Sequence, residues 1–145
     1  MKRFSLALLM TAFFFYIGFS QQAKQKDVNQ SQISMSAKKG IVLITNSLEL
    51  NFSQYKVTFI ELGADRCIPC RAMQPIMREI AEEFTDQVQV VFYDVWKDPR
   101  PARKYAIQLI PTQVFIDQKG KEIFRHVGYF PKEEILRMLK EKRIL

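Results

Sequence analysis

The chain has 145 residues, of which 48% are hydrophobic, and this predicts one folded globular domain rather than a disordered segment. The formal net charge is +7, but no run of five or more Lys and Arg occurs, so the excess indicates a solvated basic surface and argues against nucleic-acid binding. Two cysteines and one histidine also fall short of the four ligands that a structural zinc site requires.

The first twenty residues have the layout of a secretory leader. Lys2 and Arg3 precede an uncharged apolar stretch, residues 4–19, and small residues at its end suit a cleavage site after Ser20. Residues 1–20 are therefore predicted to be a signal peptide or, if uncleaved, an N-terminal membrane anchor. Either alternative exports the rest of the chain to the periplasm or a similar extracytoplasmic space, and residues 4–19 would mediate any membrane association.

A flexible linker and one domain are predicted to follow. Residues 21–40 are rich in Gln, Ser and Lys, a composition typical of a flexible tether. Residues 41–145 carry the apolar patterns of a single folded domain, which begins with a short strand at Ile41–Ile44.

Four further strands and four helices are predicted in the rest of the domain. In chain order they are a helix from Asn46 or Ser47 to Tyr55, a strand Val57–Leu62, a helix from Cys67 to about Thr85 with Pro75 inside it, a strand Val88–Val95, a helix from Asp98 to about Tyr105, the strands Thr112–Asp117 and Lys121–Val127, and a helix from Pro131. The early alternation predicts parallel strands with right-handed crossovers, and the last two strands form a hairpin. The predicted fold is therefore α/β, with a central mixed sheet flanked by helices on both faces.

Cys67 and Cys70 are the only cysteines, and they lie at the predicted junction of a strand and a helix. Unpaired N–H groups and the macrodipole at a helix N-terminus favour a thiolate at Cys67. A structural disulfide across so short a loop would restrict the unfolded chain very little, because the entropic gain grows with loop length. The pair is therefore predicted to serve chemistry rather than stability.

Together these features resemble the thioredoxin superfamily over roughly residues 41–139. The resemblance rests on Cys67-Ile68-Pro69-Cys70 after a strand, Pro75 five residues beyond it, Ile110-Pro111-Thr112, and the glycines Gly120 and Gly128 that flank the final strand. It implies a thioredoxin fold and a thiol–disulfide oxidoreductase that acts on protein disulfides without a cofactor or metal.

The resemblance also implies roles for individual residues. Cys67 would be the nucleophile and Cys70 the resolving cysteine, and Cys67–Cys70 would be the redox-active disulfide. Pro111 would follow a cis peptide bond, with Ile110 presenting backbone groups to substrate. Glu61, six residues before Cys67, stands where the family has a buried acid, usually Asp. Unless it faces solvent at the end of its strand, burial among apolar neighbours should raise its pKa and let it exchange protons with Cys70.

Several positions depart from the pattern of the family. Arg66 stands where Trp is common, and we assign it to the substrate-binding region as a cation that favours the Cys67 thiolate, with a solvated arginine as the alternative. Ile68 replaces the common Gly, and Phe92 stands where thioredoxins often carry Lys near the buried acid. Because the residues between the cysteines tune the redox potential, no value can be transferred from the family.

The predicted function is reduction of protein disulfides outside the cytoplasm, by a monomer that receives electrons from a membrane donor. Disulfide formation is the alternative direction, because a thiolate-favouring Cys67 stabilises the reduced form. A second alternative is a non-enzymatic module that binds copper or peptides, with Met73 and Met77 nearby, although Met on the packed side of a helix is usually core. Tyr93 and Trp96 are expected to pack rather than to form a binding platform.

Overall fold

A computed structural model describes Gly40–Leu145, which form a five-stranded mixed sheet with helices on both faces. The predicted leader or anchor, residues 1–20, and the predicted linker, residues 21–40 apart from its last residue, lie outside the described residues. Within the described part of the chain, no helix has the length and apolar character that a membrane span requires.

Five strands and three helices make up the domain. They are β1 (Leu43–Ile44), β2 (Val57–Gly63), α1 (Ile68–Glu83), β3 (Val88–Asp94), α2 (Arg100–Lys104), β4 (Thr112–Asp117), β5 (Glu122–Val127) and α3 (Lys132–Glu141). The strand order is β1-β3-β2-β4-β5; β1 and β2 run parallel to β3, whereas β4 is antiparallel to β2 and to β5. The predicted mixed sheet and its terminal hairpin are confirmed.

Two apolar layers enclose the sheet, because successive side chains of a strand point to opposite faces. On one face, Phe59 of β2 packs with Met77 of α1 and Leu139 of α3. On the other face, Ile60 packs with Tyr105, the residue that follows α2. Complete burial of one such side chain stabilises the fold by roughly 1.5–3 kcal/mol. Burial of the alternate faces of β2 therefore fixes which side chains of this strand lie toward α1.

The predicted helix over residues 46–55 is wrong. The structure has only one turn of 3₁₀ helix, Phe52–Gln54, which is capped by the side chain of Asn51. Upstream, Oγ of Ser47 accepts the backbone N–H of Glu49 at 3.2 Å. Such local side-chain bonds offer the backbone an alternative to helical hydrogen bonds, which explains why no α-helix forms here.

The prediction that the aromatic residues near the end of β3 pack is correct for one and wrong for the other. Tyr93 is fully buried, whereas Trp96 is 63% exposed. The strand ends at Asp94, whose Oδ1 accepts the backbone N–H groups of Trp96 and Lys97 at 3.1 and 3.2 Å. These bonds turn the chain away from the sheet, and Trp96 consequently lies on the surface.

Candidate active site

The two cysteines lie at the N-terminus of α1 and form a disulfide, with their Cα atoms 5.2 Å apart. Cys67 is the N-cap residue, and its Sγ accepts the backbone N–H of Cys70 at 3.3 Å. This sulfur therefore occupies the position where unpaired N–H groups and the macrodipole stabilise negative charge. Cys67 is 9% exposed and Cys70 is fully buried, so the pair is asymmetric toward solvent.

Cys70 is packed against the bare backbone of Gly63, the last residue of β2. A β-carbon on Gly63 would lie 3.1 Å from Cβ and 3.3 Å from Sγ of Cys70, and 3.1 Å from the ring of Phe92. All three distances are shorter than ordinary contacts, so α1 or the ring of Phe92 would have to shift to admit a side chain at this position. The glycine thus lets Cys70 approach the strand closely.

The loop before β4 lies beside the disulfide. The Ile110–Pro111 peptide bond is cis, which is the geometry that the resemblance implies. Ile110 packs against the cluster formed by Ala64 and the two cysteines. The N–H of Gly128, which follows β5, donates to the carbonyl oxygen of Pro111 at 2.8 Å. The structure therefore places Ile110 and Pro111 at the motif, and their role in substrate binding stays a prediction.

Glu61 is buried inside β2 rather than turned toward solvent. It is fully buried, and its Oε2 accepts a hydrogen bond from Nε2 of Gln113 at 2.9 Å. Phe92 is its partner on β3, so an aromatic ring rather than a cation occupies that position. Burial raises the pKa of Glu61 to about 8, although the hydrogen bond from Gln113 acts in the opposite direction. At neutral pH the carboxyl therefore holds a proton that it can exchange.

The surface next to the motif combines apolar and basic side chains. Ile68, between the cysteines, is 81% exposed, and Leu109, before the cis peptide bond, is 66% exposed. Arg66 and Arg71 are exposed on the two sides of the motif. Such a surface can contact an extended, partly apolar segment of another protein. No group of three or more His, Cys, Asp or Glu within residues 40–145 is arranged to hold a metal ion.

The family profile named thioredoxin matches residues 41–141 of the chain.

The chain belongs to the thioredoxin family.

Curated thioredoxins are similar to most of the described domain. The thioredoxin of Mycoplasmoides gallisepticum is 34% identical over 99 residues, which cover 67% of this chain and 97% of the relative. The thioredoxin of Alicyclobacillus acidocaldarius is 32% identical over 91 residues, which cover 60% of this chain and 86% of the relative. The family and the Cys67–Cys70 pair together identify a thiol–disulfide oxidoreductase in general.

Solved thioredoxin structures have the same fold. A thioredoxin from Nicotiana alata superposes with a TM-score of 0.58 at 27% identity and covers 69% of this chain and 90% of its own. A mutant thioredoxin from Halobacterium salinarum gives a TM-score of 0.61 at 22% identity, covering 69% of this chain and 88% of its own, and supports the fold alone. The predicted thioredoxin fold is confirmed.

Sequence reasoning missed two residues of this site. The sequence predicts Gln113 only as part of the strand Thr112–Asp117, although a long polar side chain beside Val114, Phe115 and Ile116 is a signal for a buried hydrogen bond. The predicted strand stops at Leu62, whereas β2 extends to Gly63, which lies against Cys70. No sequence pattern shows that close approach, because it depends on how α1 lies on the sheet.

Proposed function

We propose that this thioredoxin-family protein reduces disulfides of protein substrates outside the cytoplasm through the Cys67/Cys70 couple. The asymmetry of the pair carries the proposal. Sγ of Cys67 accepts the backbone N–H of Cys70 at 3.3 Å and keeps some access to solvent, whereas Cys70 has none. Cys67 is thus suited to attack a substrate from solution, and Cys70 is suited to act only within the protein.

The proposed reaction proceeds through a mixed disulfide. The Cys67 thiolate attacks one sulfur of the substrate disulfide, forms a bond to it and expels the other sulfur as a thiolate. Cys70 then loses its proton to Glu61 in molecules whose Glu61 carboxyl is ionised, and its thiolate attacks Sγ of Cys67. The mixed disulfide breaks, the second substrate thiolate leaves, and Cys67–Cys70 is oxidised. Two electrons have passed to the substrate, and a membrane electron donor would restore the dithiol.

The surface beside the motif supports protein disulfides as the substrate class. Ile110 and Pro111 would offer backbone groups to an extended segment, since the chain lies next to the cysteines here. The exposed Ile68 would contact apolar residues of that segment. Arg66 would stabilise the Cys67 thiolate and favour acidic residues near the substrate disulfide. We expect the protein to act as a monomer.

Substitution of each cysteine tests the mechanism. Cys67→Ser should abolish reduction of insulin disulfides, because Cys70 is buried and cannot attack the substrate. Cys70→Ser should still attack but should accumulate mixed disulfides, which non-reducing gels and mass spectrometry would detect. Insulin reduction by Cys67→Ser at the rate of the parent would contradict the proposed roles.

The direction of electron flow needs a separate measurement. The redox state of Cys67–Cys70 should be determined across glutathione buffers that span reducing and oxidising ratios. A couple that remains oxidised until the buffer is strongly reducing supports the proposed reductant. A couple that is reduced in mildly oxidising buffers would instead assign disulfide formation, because a stabilised dithiol makes the protein an oxidant.

Location outside the cytoplasm rests on the sequence of residues 1–20. Fractionation of cells that express the full chain should recover the domain in the extracytoplasmic or membrane fraction. A variant that lacks residues 4–19 should remain in the cytoplasm. Recovery of both proteins in the cytoplasm would overturn the proposed location without affecting the proposed chemistry.

Copper binding is not favoured by the structure of the site. Met73 and Met77 are fully buried, and Sδ of Met73 accepts the backbone N–H of Phe130 at 3.3 Å. Their thioether groups therefore belong to the core and are not directed to a ligand at the surface. The expectation that these methionines pack is confirmed.

A further inference from the structure

Glu61 has a polar partner on the neighbouring strand. The register of the sheet pairs Glu61 with Gln113 of β4, and Gln113 in turn with His126 of β5. Glu61 and Gln113 are both fully buried. Because partnered residues direct their side chains to the same face of a sheet, the amide of Gln113 meets the carboxyl of Glu61 inside the core.

The orientation of the Gln113 amide follows from its partners. Nε2 donates to Oε2 of Glu61 at 2.9 Å and to the carbonyl oxygen of Gly128 at 3.0 Å. A carbonyl oxygen can only accept, so the NH₂ group and not the amide oxygen must point to this side. Both hydrogens of Nε2 therefore take part in hydrogen bonds, one to Oε2 of Glu61 and the other to the carbonyl oxygen of Gly128.

The second oxygen of Glu61 is in a different situation. Oε1 is buried and has no hydrogen-bond partner among the described residues of the protein. When the carboxyl is neutral, Oε2 accepts from Gln113 and the proton therefore belongs on Oε1. Glu61 also lies on the face of the sheet that Cys70 contacts. Glu61 and Gly63 are two residues apart on β2 and therefore share a face, and Gly63 lies against Cys70.

We propose that Gln113 is a positioning residue that holds Oε2 of Glu61 and so reserves Oε1 for proton exchange with Cys70. This inference rests on the proposed function, because it concerns the resolving step. In that step Glu61 starts as the carboxylate: the S–H bond of Cys70 breaks, an O–H bond forms at the unprotonated Oε1, and the resulting thiolate attacks Sγ of Cys67. Gln113 acts through Glu61 and takes no part in bond making or breaking.

The same amide connects the acid to the loop beside the cis peptide bond. The carbonyl oxygen of Gly128 accepts from Gln113, and the N–H of Gly128 donates to the carbonyl oxygen of Pro111 at 2.8 Å. One side chain thus fixes the acid relative to the backbone that would receive a substrate. A shorter or apolar residue at position 113 would release both contacts.

Any test must distinguish the titration of Glu61 from the titration of other groups near it. Cys70 is on α1, and His126 is one strand beyond Gln113, with its ring stacked on Phe130 at a centroid distance of 4.1 Å. The partner on β3, Phe92, is apolar, and the buried side chains of α3 are Ile135, Met138 and Leu139. A signal specific to the Glu61 carboxyl carbon is therefore required.

The test uses carbon-detected NMR titration of the Glu61 carboxyl in the full chain. Gln113→Met preserves length and volume but removes the donor, so the pKa of Glu61 should rise by roughly one pH unit. Gln89→Met is the matched control, because Gln89 bonds to Thr58 and not to Glu61. The control should leave the titration of Glu61 unchanged, and equal midpoints in the parent and in Gln113→Met would overturn the proposal.

Two further measurements keep the proposal falsifiable if Gln113→Met folds poorly. In the parent, the side-chain NH₂ resonances of Gln113 should shift with the same midpoint as the Glu61 carboxyl, whereas those of Gln89 should not. In Gln113→Met, the decay of a preformed mixed disulfide at pH 7 should slow several-fold, with its pH profile moved upward. If the Gln113 resonances do not shift with the midpoint of Glu61, the proposal is contradicted. If the parent protein does not reduce disulfides, only the proposed function is overturned.

Discussion

The carboxylate of Asp94 accepts the backbone N–H of Asp65 at 3.3 Å and thereby joins the loop after β3 to the loop before Cys67. Its other oxygen, Oδ1, accepts the backbone N–H groups of Trp96 and Lys97, whereas Oδ2 also forms an ion pair with Nζ of Lys97 at 3.3 Å. Burial opposes ionisation of Asp94, but the hydrogen bonds from Lys97, Asp65 and Trp96 outweigh it and hold its pKa below the usual value. The position of the loop before Cys67 therefore depends on the ionised side chain of Asp94.

Asp94→Asn should destabilise the protein by about 1.5–3 kcal/mol at pH 7. Both carboxylate oxygens accept N–H groups, and an amide can accept at only one end, so its NH₂ group would face a donor. Chemical denaturation, followed through the single tryptophan Trp96, measures the free energy of unfolding. Glu82→Gln, at an exposed position of α1, is the control and should change it by less than about 0.5 kcal/mol.

The contribution of Asp94 should also depend on pH. A carboxyl whose pKa is depressed on folding contributes stability that is present above its unfolded pKa and is lost as the pH falls through the folded pKa. The difference in unfolding free energy between the parent and Asp94→Asn should therefore shrink in acid, below about pH 4. A difference that stays constant from pH 7 to pH 3 would mean that the charge of Asp94 is not responsible.

Glu61→Gln should make the protein more stable in mildly alkaline solution. The pKa of Glu61 is raised to about 8 by burial, so the folded state keeps a proton that the unfolded state has lost above about pH 4.5. Parent stability should consequently fall between about pH 4.5 and 8, by up to a few kcal/mol. The variant should lack this fall and should resolve mixed disulfides more slowly, as measured by denaturation and by stopped-flow kinetics. Parallel stability curves for the two proteins would contradict the assignment.

Gly63→Ala should destabilise the fold by about 1–3 kcal/mol. The new methyl group would lie 3.1 Å from Cβ of Cys70 and 3.1 Å from the ring of Phe92, so α1 or the ring must move. Thermal and chemical denaturation measure the loss, and the reactivity of Cys70 in the reduced protein reports displacement of the helix. The double variant with Gly63→Ala and Phe92→Leu should lose less unfolding free energy than the sum of the losses of the two single variants. A loss equal to that sum would argue against a steric clash as the cause.

Ile68→Ser should leave stability within about 0.5 kcal/mol and should raise KM for a protein disulfide more than it lowers kcat. The side chain is 81% exposed between the cysteines, so the fold does not depend on it, whereas a substrate segment would cover it. Ile44→Ser is the matched control, since Ile44 is 73% exposed on the edge strand β1. Equal effects of the two changes on KM would indicate that Ile68 does not contact the substrate.

Much of the fold follows from local patterns. The strand Thr112–Asp117 is observed as predicted, and α1 begins one residue after the predicted start, because Cys67 is the N-cap. The error at residues 46–55 and the exposed Trp96 have a common cause. In both places side-chain oxygens, those of Ser47 and Asp94, take backbone hydrogen bonds that a pattern of apolar residues does not reveal.

Spacing and periodicity are local properties, and they suffice to predict the Cys67–Cys70 motif at a helix N-terminus, the five strands, three of the four predicted helices and the resemblance to the thioredoxin superfamily. The hydrogen bond from Gln113 to Glu61 and the contact of Gly63 with Cys70 arise only in the folded chain. Glu61 and Gln113 are 52 positions apart, and they meet only because β2 and β4 pair in one register. Contacts of this kind depend on strand register and helix packing, and these are settled by burial of the whole core rather than by any one segment.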